Sequence, residues 1–419
     1  MNRLSKVAGD SVARVADRPP DARVGTRGFR RVCMVTHSFY ESDNRVIRYA
    51  EALAQRGDSV EVFALRRNPE VPKEEVISGV RIFRIQDRFG KGQKSLTSFL
   101  LPVLRFLVTS SWWVMRRHQA QSYDLVHVHN IPDFLVFAAW YPKLLGAKVI
   151  LDIHDIVPEF FASKFDAPQE SNLVRGLRLV EKISASFADH VIVSNHLWLD
   201  KYVARSAPRE KCSVFINHVD ARIFRPRSAV RKSGNPIVLF PGGLEWHQGL
   251  DIAIRALQKL RSRAPGVEFH IYGDGIMKPK LEELARDLGL GRSVQFFKPL
   301  RLHEIADVMA TADLGVVPKR ANSFGNEAYS TKIMEFMSVG VPTVVSSTKV
   351  DRYYFDDSVV RFFESGNADA LADAMYEVLH HPQMRSGMVE RGLKYVSLNS
   401  WENHQLEYLQ LVDSLCVRK

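Results

Sequence analysis

The stretch "RVCMVTHSFYESDNRVIRYAEALAQRGDSVEVFAL", Arg31 to Leu65, decides the architecture. A β-branched run, "RVCMVTH", leads through a polar loop into Asn44 to Arg56, where Val46, Ile47, Tyr49, Ala50 and Leu53 make one apolar helical face. A second run, "SVEVFAL", follows directly. Strand-like and helical patterns alternating in this way are the signature of parallel α/β layers.

The alternation continues through "VRIFRI", "DLVHVH", "KVILDIH", "HVIVSN" and "CSVFIN". It breaks at "NHVDARIFRPRSAVRKSGNP", polar, basic and carrying Pro226 and Pro236, then restarts with "IVLFPGG", "VEFHIYG", "VQFFK", "LGVVP" and "PTVVSS". A chain of 419 residues exceeds what one core usually organises. The expectation is an N-terminal Rossmann-like domain over 29–218, a linker over 219–235 and a second Rossmann-like domain over 236–399. The amphipathic "SWENHQLEYLQLVDSL", starting at Ser400, is expected to return to the first domain, which 400–419 would complete. Two doubly wound domains turn the carboxyl ends of their strands towards a shared cleft.

The net charge is +11, and the first 31 residues hold eight Lys/Arg against three Asp, a net +5. That tail lacks the unbroken apolar region of a signal peptide, and 1–28 reads as disordered. Cys33, Cys212 and Cys416 are odd in number and scattered, so neither a disulfide framework nor a zinc site is indicated, and a cytoplasmic setting is expected. Ser95 to Gln119 is the most apolar segment, but Pro102 and Arg105 interrupt it and a lone transmembrane helix is not supported. Its Leu100, Leu101, Leu104, Leu107 and Val108 recur at helical spacing, between basic flanks at Lys91, Lys94, Arg116 and Arg117. Packing on a sheet and resting on anionic lipid both fit; Trp112 and Trp113, reading as exposed, favour the membrane surface. With the charge concentrated in the tail and around this segment, and no RNA-binding motif, a nucleic-acid partner is not expected.

Four features of the second half suit a phosphorylated ligand. "FPGGLEWHQG" brings Gly242 and Gly243 to a strand end, where backbone N–H groups approach an anion easily, although a plain turn uses the same residues. "IYGDG" is a second such turn. In "NEAYSTKIMEFMSVGVPTVVSS", Asn326 to Ser347, Ser330 is a candidate N-cap for a helix from Thr331 to about Val339 stopped by Gly340 and Pro342. Its start would offer free N–H donors beside Lys332, with Glu335 one turn on and Glu327 in the preceding loop. Both glutamates also fit a solvated surface role.

As an ordered set, "GDG", "VQFFKPL", "ADLGVVP" and Glu327-x7-Glu335 before "MSVGVPTVVSS" resemble the second half of family 4 (group 1) retaining glycosyltransferases of the GT-B fold. The stretch "VTHSFYESDNRVIRYAEALAQRGDSVEVFAL", Val35 to Leu65, resembles that family's opening βαβ unit. The resemblance implies that Glu327 contacts donor-sugar hydroxyls and Glu335 the ribose, that Ser330, Thr331 and Lys332 hold the diphosphate, and that Phe297, Lys298 and Leu300 border the base. His154, in "LDIHD", matches the histidine facing the donor sugar, and Asp43 and Arg45 lie where the acceptor borders. The family's basic pair in the glycine loop is replaced here by Gly243 and Gln248, which leaves Lys332, His247 and the helix dipole to neutralise the phosphates. His218 stands where the family usually has glycine.

The chain contains no Asp-x-Asp pair, so the diphosphate is expected to be held without a metal or other cofactor. The expected activity is retaining transfer of a hexose from a UDP- or GDP-linked donor to a glycan or polyprenyl-linked acceptor. It would take place at the inner face of a bacterial membrane, in polysaccharide or glycolipid synthesis. A nucleotide-sugar epimerase on the same scaffold, or a non-catalytic sugar-nucleotide-binding subunit, are the alternatives.

Overall fold

Two separate sheets form where the alternation breaks and restarts. The computed structural model describes residues 29–88, 96–164, 167–227, 234–322 and 324–417. The basic tail 1–28, Lys91, Lys94 and positions 228–233 of the linker lie outside them.

The first sheet contains β1 (Arg31–Thr36), β2 (Ser59–Arg66), β3 (Glu74–Ile77), β4 (Val80–Asp87), β5 (Leu125–His129), β6 (Lys148–Ile153), β7 (His190–Val193) and β8 (Cys212–Val214). Their order is β3-β4-β2-β1-β5-β6-β7-β8, parallel except for the β3–β4 hairpin. The second contains β9 (Ile237–Pro241), β10 (Glu268–Tyr272), β11 (Val294–Phe297), β12 (Leu314–Val317), β13 (Thr343–Ser346) and β14 (Arg361–Phe363), in the order β11-β10-β9-β12-β13-β14, all parallel. Each sheet reverses its direction of growth once, between β1 and β5 and between β9 and β12. Such switch points leave a crevice at the strand carboxyl ends. Helices on both faces bury β1, β5, β7, β12 and β13 completely, which is why these strands read as continuous apolar runs.

The Asn44–Arg56 helix starts on Asp43, whose carboxylate accepts from Val46 N at 3.3 Å. It ends at Gly57, where φ of +104° requires a residue without a Cβ. The Trp401–Leu415 helix returns to this helix. Tyr408 is fully buried, stacks on Tyr49 at 4.2 Å and meets His127 Nδ1 through its hydroxyl at 3.0 Å.

The apolar segment forms the Leu96–Ala120 helix, but with a different face inward from the one the leucine stripe suggests. Val103, Phe106, Ser110 and Val114 are buried, whereas Leu101 is 72% and Val108 70% exposed, with Leu100, Leu104 and Trp112 also outward. Trp113, expected outside, instead packs beside Phe83 at 6.0 Å. Arg117 turns in to pair with Glu61, which Arg31 also holds at 2.9 Å. No helix among the described residues is long and apolar enough to cross a membrane.

Tyr408→Ala would remove both a ring from the first domain's core and the hydroxyl facing His127. A loss of roughly 3–5 kcal/mol is expected, read as a lowered melting temperature; an unchanged one would mean that the returning helix does not support this domain.

Candidate active site

A cavity of about 1000 Å³ separates the two domains at the strand carboxyl ends. Asp43, Arg45, Arg48 and His154 line it from the first domain, and Leu300, Thr331 and Glu335 from the second. The helix start and the end of β6 thus meet at this cavity, while the glycine-rich turn lies outside its lining, against Lys332.

The second-domain wall is built around the Thr331–Ser338 helix. Ser330 occupies its N-cap position without making the cap hydrogen bond, and its buried Oγ has no partner among the described residues. The first-turn N–H groups of a helix have no intrahelical acceptor, so this end presents donors and the positive end of the dipole. Lys332 lies against the glycine loop: a Cβ on Gly242 would fall 2.6 Å from its Cε. Its ammonium is 5.2 Å from the Phe240 ring, and burial lowers its pKa to about 8. Burial raises Glu335, against the opposing pull of Lys332 and a hydrogen bond from Thr331. An incoming anion at Lys332 and hydroxyl donors at Glu335 would each relieve a desolvated group.

The other expected residues divide. Gly243 is exposed at the loop tip. The Gln248 amide turns back onto His247 Nε2 at 2.9 Å. Burial, then Lys332 and Lys319, lower His247 to about 4, so it is neutral near pH 7 and adds no charge for a phosphate, contrary to the expectation. Phe297 stacks on Tyr272 at 4.4 Å at the end of β11, followed by the exposed Lys298 and by Leu300 on the cavity wall. Glu327 does not line the main cavity. Its carboxylate pairs with Lys201 of the first domain, and its carbonyl accepts from Asn195 Nδ2 at 3.1 Å. The loop before it is anchored by the fully buried Lys319, which donates to the Ala328 carbonyl at 2.8 Å and pairs with Asp351 at 2.8 Å.

On the first-domain side Asp43 is the helix cap already described and also accepts from Ser38 Oγ at 2.7 Å. Arg45 is buried and grips Asp152 through Nε at 2.8 Å and an Nη at 2.7 Å. Both residues therefore hold the cleft wall together as well as lining it. His127, His129 and Asp152 lie close enough to ligate a metal ion. Burial lowers both imidazoles, and Arg45 already spans both Asp152 oxygens, so this donor set is charge-balanced by a guanidinium. His218 Nδ1 meets the Asn399 carbonyl at 2.7 Å, and its ring stacks on His404 at 4.1 Å.

Sequence reasoning missed Arg48, Lys201 and Asp152. Arg48 is buried on the cavity wall, bonded to the His218 carbonyl, and burial followed by Arg45 lowers it to about 10. Only its place three residues after Arg45 in the Asn44–Arg56 helix marked it.

Comparison with known proteins places this geometry. The model described as "Glycosyl transferase 4-like domain" matches residues 43–218, and "Glycosyl transferases group 1" matches 222–395. The D-inositol 3-phosphate glycosyltransferase of Corynebacterium urealyticum is 25% identical over 389 residues, covering 87% of this chain and 88% of that protein. The protein of the same name from Thermobifida fusca is 25% identical over 390 residues, covering 85% of each. Sucrose-phosphate synthase from Thermosynechococcus elongatus superposes with a TM-score of 0.76 at 18% identity, over 92% of this chain and 99% of that one. Anabaena HepE, solved in complex with UDP and glucose, gives 0.70 at 16% identity, over 92% and 100%. With one model on each domain and the same two-domain architecture in its structural neighbours, the chain belongs to the group 1 (family 4) glycosyltransferases of the GT-B fold.

Proposed function

We propose that the protein transfers a hexose, with retention and without a metal, from a nucleoside-diphosphate sugar to a glycan or polyprenyl-linked acceptor at an anionic membrane surface. The single observation that carries the reading is the cavity wall itself, with the helix start at Thr331, Glu335 and His154 around one space, and Lys332, next to Thr331 in the chain, set against the glycine loop. The diphosphate lies at the Thr331 end of the helix, where the orphan Ser330 hydroxyl, N–H groups and Lys332 receive charge as the β-phosphate departs. Glu335 holds the ribose hydroxyls, and the family resemblance gives the sugar to Glu327, whose carboxylate pairs with Lys201 beside the main cavity. The acceptor hydroxyl attacks from the face the diphosphate leaves, which then takes its proton.

The nucleotide complexes of Anabaena HepE favour UDP over GDP as the base carrier. The outward Leu101, Leu104, Val108 and Trp112, with Arg116 stacked 5.2 Å from Trp112, support the membrane-surface reading. Trp140 and Leu144 are also exposed, on the helix that Gln119 touches through Tyr141. Cytoplasmic placement and a role in polysaccharide or glycolipid synthesis follow from this reading.

Calorimetry with UDP, GDP and their hexose conjugates, in the presence of a chelator, tests the donor site. One nucleotide is expected to bind, and Glu335→Ala to weaken it by roughly 1.5–3 kcal/mol. No binding by the wild type would reject the donor site and favour a non-catalytic scaffold that holds no sugar nucleotide. The sign of the pH dependence follows from Lys332: a diphosphate prefers the ammonium, so affinity is full below about 8 and falls as pH rises through it, by at most about tenfold per unit. Lys332→Arg should flatten that slope, and an unchanged slope in the variant would assign it to another group. For the membrane, Val108→Ser with Trp112→Ser should reduce co-sedimentation with anionic vesicles on the order of tenfold or more, without touching the Arg117–Glu61 pair. Undiminished binding would reject this face.

A further inference from the structure

The main chain of His154 is fixed, its N–H donating to Asn130 Oδ1 at 2.7 Å and its carbonyl accepting from Ser194 Oγ at 2.9 Å. Its ring spans the boundary between the cavity and the buried interior. On the inner side Nε2 lies 3.2 Å from Asp152 Oδ2, the oxygen that also accepts from Arg45 Nε at 2.8 Å and from His129 Nδ1 at 3.0 Å. On the outer side His154 lines the cavity, and Nδ1 has no hydrogen-bond partner among the described residues.

Asp152 is fully buried, and burial alone would raise it, but the Arg45 guanidinium and the histidine contacts hold it well below the usual carboxylate range. It is therefore ionised. A bare imidazole lone pair facing an anionic oxygen at 3.2 Å is repelled, whereas an N–H is attracted. The 3.2 Å approach of His129 Nδ1 to His154 Nε2 follows when both donate to the same oxygen.

We propose that Asp152, kept charged by Arg45 and shared with His129, is a positioning residue that draws the proton of a singly protonated His154 ring to Nε2 and so presents Nδ1 to the cleft as an acceptor. This rests on the reading of the cleft as a nucleotide-sugar site. An acceptor-only nitrogen pairs with a hydroxyl on the donor sugar and repels a carboxylate in the same place. The donor class is then a neutral hexose and not a hexuronate.

Nitrogen-15 NMR of histidine-labelled wild type at alkaline pH, with His154→Gln used to assign the signal, reads the tautomer without any substrate. The Nε2–H form is expected, giving way to a mixture in Asp152→Asn; a dominant Nδ1–H form in the wild type would overturn the lock. UDP, UDP-glucose and UDP-glucuronate then probe its consequence. The wild type is expected to prefer UDP-glucose over UDP-glucuronate by about tenfold or more, and Asp152→Asn to narrow that gap, read as the ratio of the two affinities so that any general weakening of nucleotide binding cancels. Equal affinity of the wild type for both conjugates would overturn the selectivity. If none of the three binds, the nucleotide-sugar reading fails instead, and the tautomer alone decides the lock, a measurement that does not depend on the Asp152→Asn variant folding.

Discussion

The first domain is organised around one buried carboxylate. Moving a charge of this kind out of water costs several kcal/mol, and that cost is offset only when good geometry satisfies its lone pairs. At Asp152 the Asn44–Arg56 helix supplies Arg45, and β5 supplies His129. Arg45 also donates to the Phe215 carbonyl at 2.7 Å and to Asn217 Oδ1 at 3.0 Å, tying the approach to the linker to the same point. The carboxylate therefore fixes three things together: the crossover helix, the end of β6 that leads into His154 and the exit to the second domain. Removing either partner would strand a charge in the interior, so the pair specifies this arrangement more than it stabilises it.

The second domain solves a related problem with less charge. The fully buried Lys319 pairs with Asp351, whose other contacts include Thr348 Oγ at 2.6 Å, and the ammonium also holds the Ala328 carbonyl. The loop carrying Glu327 is thus pinned from below, while Lys201 reaches it from across the cleft. The helix start at Thr331 needs no such anchor. Its donors are unsatisfied by geometry, and Ser330, which leaves its hydroxyl uncommitted, adds to them. On the proposed reading, the rigid part of each domain supplies orientation and the open helix end supplies charge stabilisation.

Periodicity made much of this legible. Strands buried on both faces advertise themselves, and the polar, proline-bearing linker separated the two sets. β3 escaped because "EEVI" is a polar edge strand, and β14 because it has three residues. The phase of the long helix was misread because its outward leucines are as apolar as the inward Val103, Phe106 and Val114, so periodicity could not tell which face met the sheet. Arg117 looked like a lipid contact until Glu61, a charged residue inside β2, was found beneath it. His247 looked like a cation because sequence carries no measure of desolvation, and burial makes it neutral. Asp152 and Lys201 act through partners distant in sequence, 107 residues away for Arg45 and 126 for Glu327, which no local spacing reveals.

The central claim is that a sugar nucleotide bridges the two domains, phosphates on the Thr331 helix start and sugar towards His154. Hydrogen–deuterium exchange with and without UDP-glucose tests it at both walls in one experiment, because bound phosphate shields helix-start amides that otherwise face solvent. Slowed exchange is expected at Thr331 to Glu335 together with the segment around His154. Saturating nucleotide that protects neither segment, or protects sites elsewhere, would contradict it.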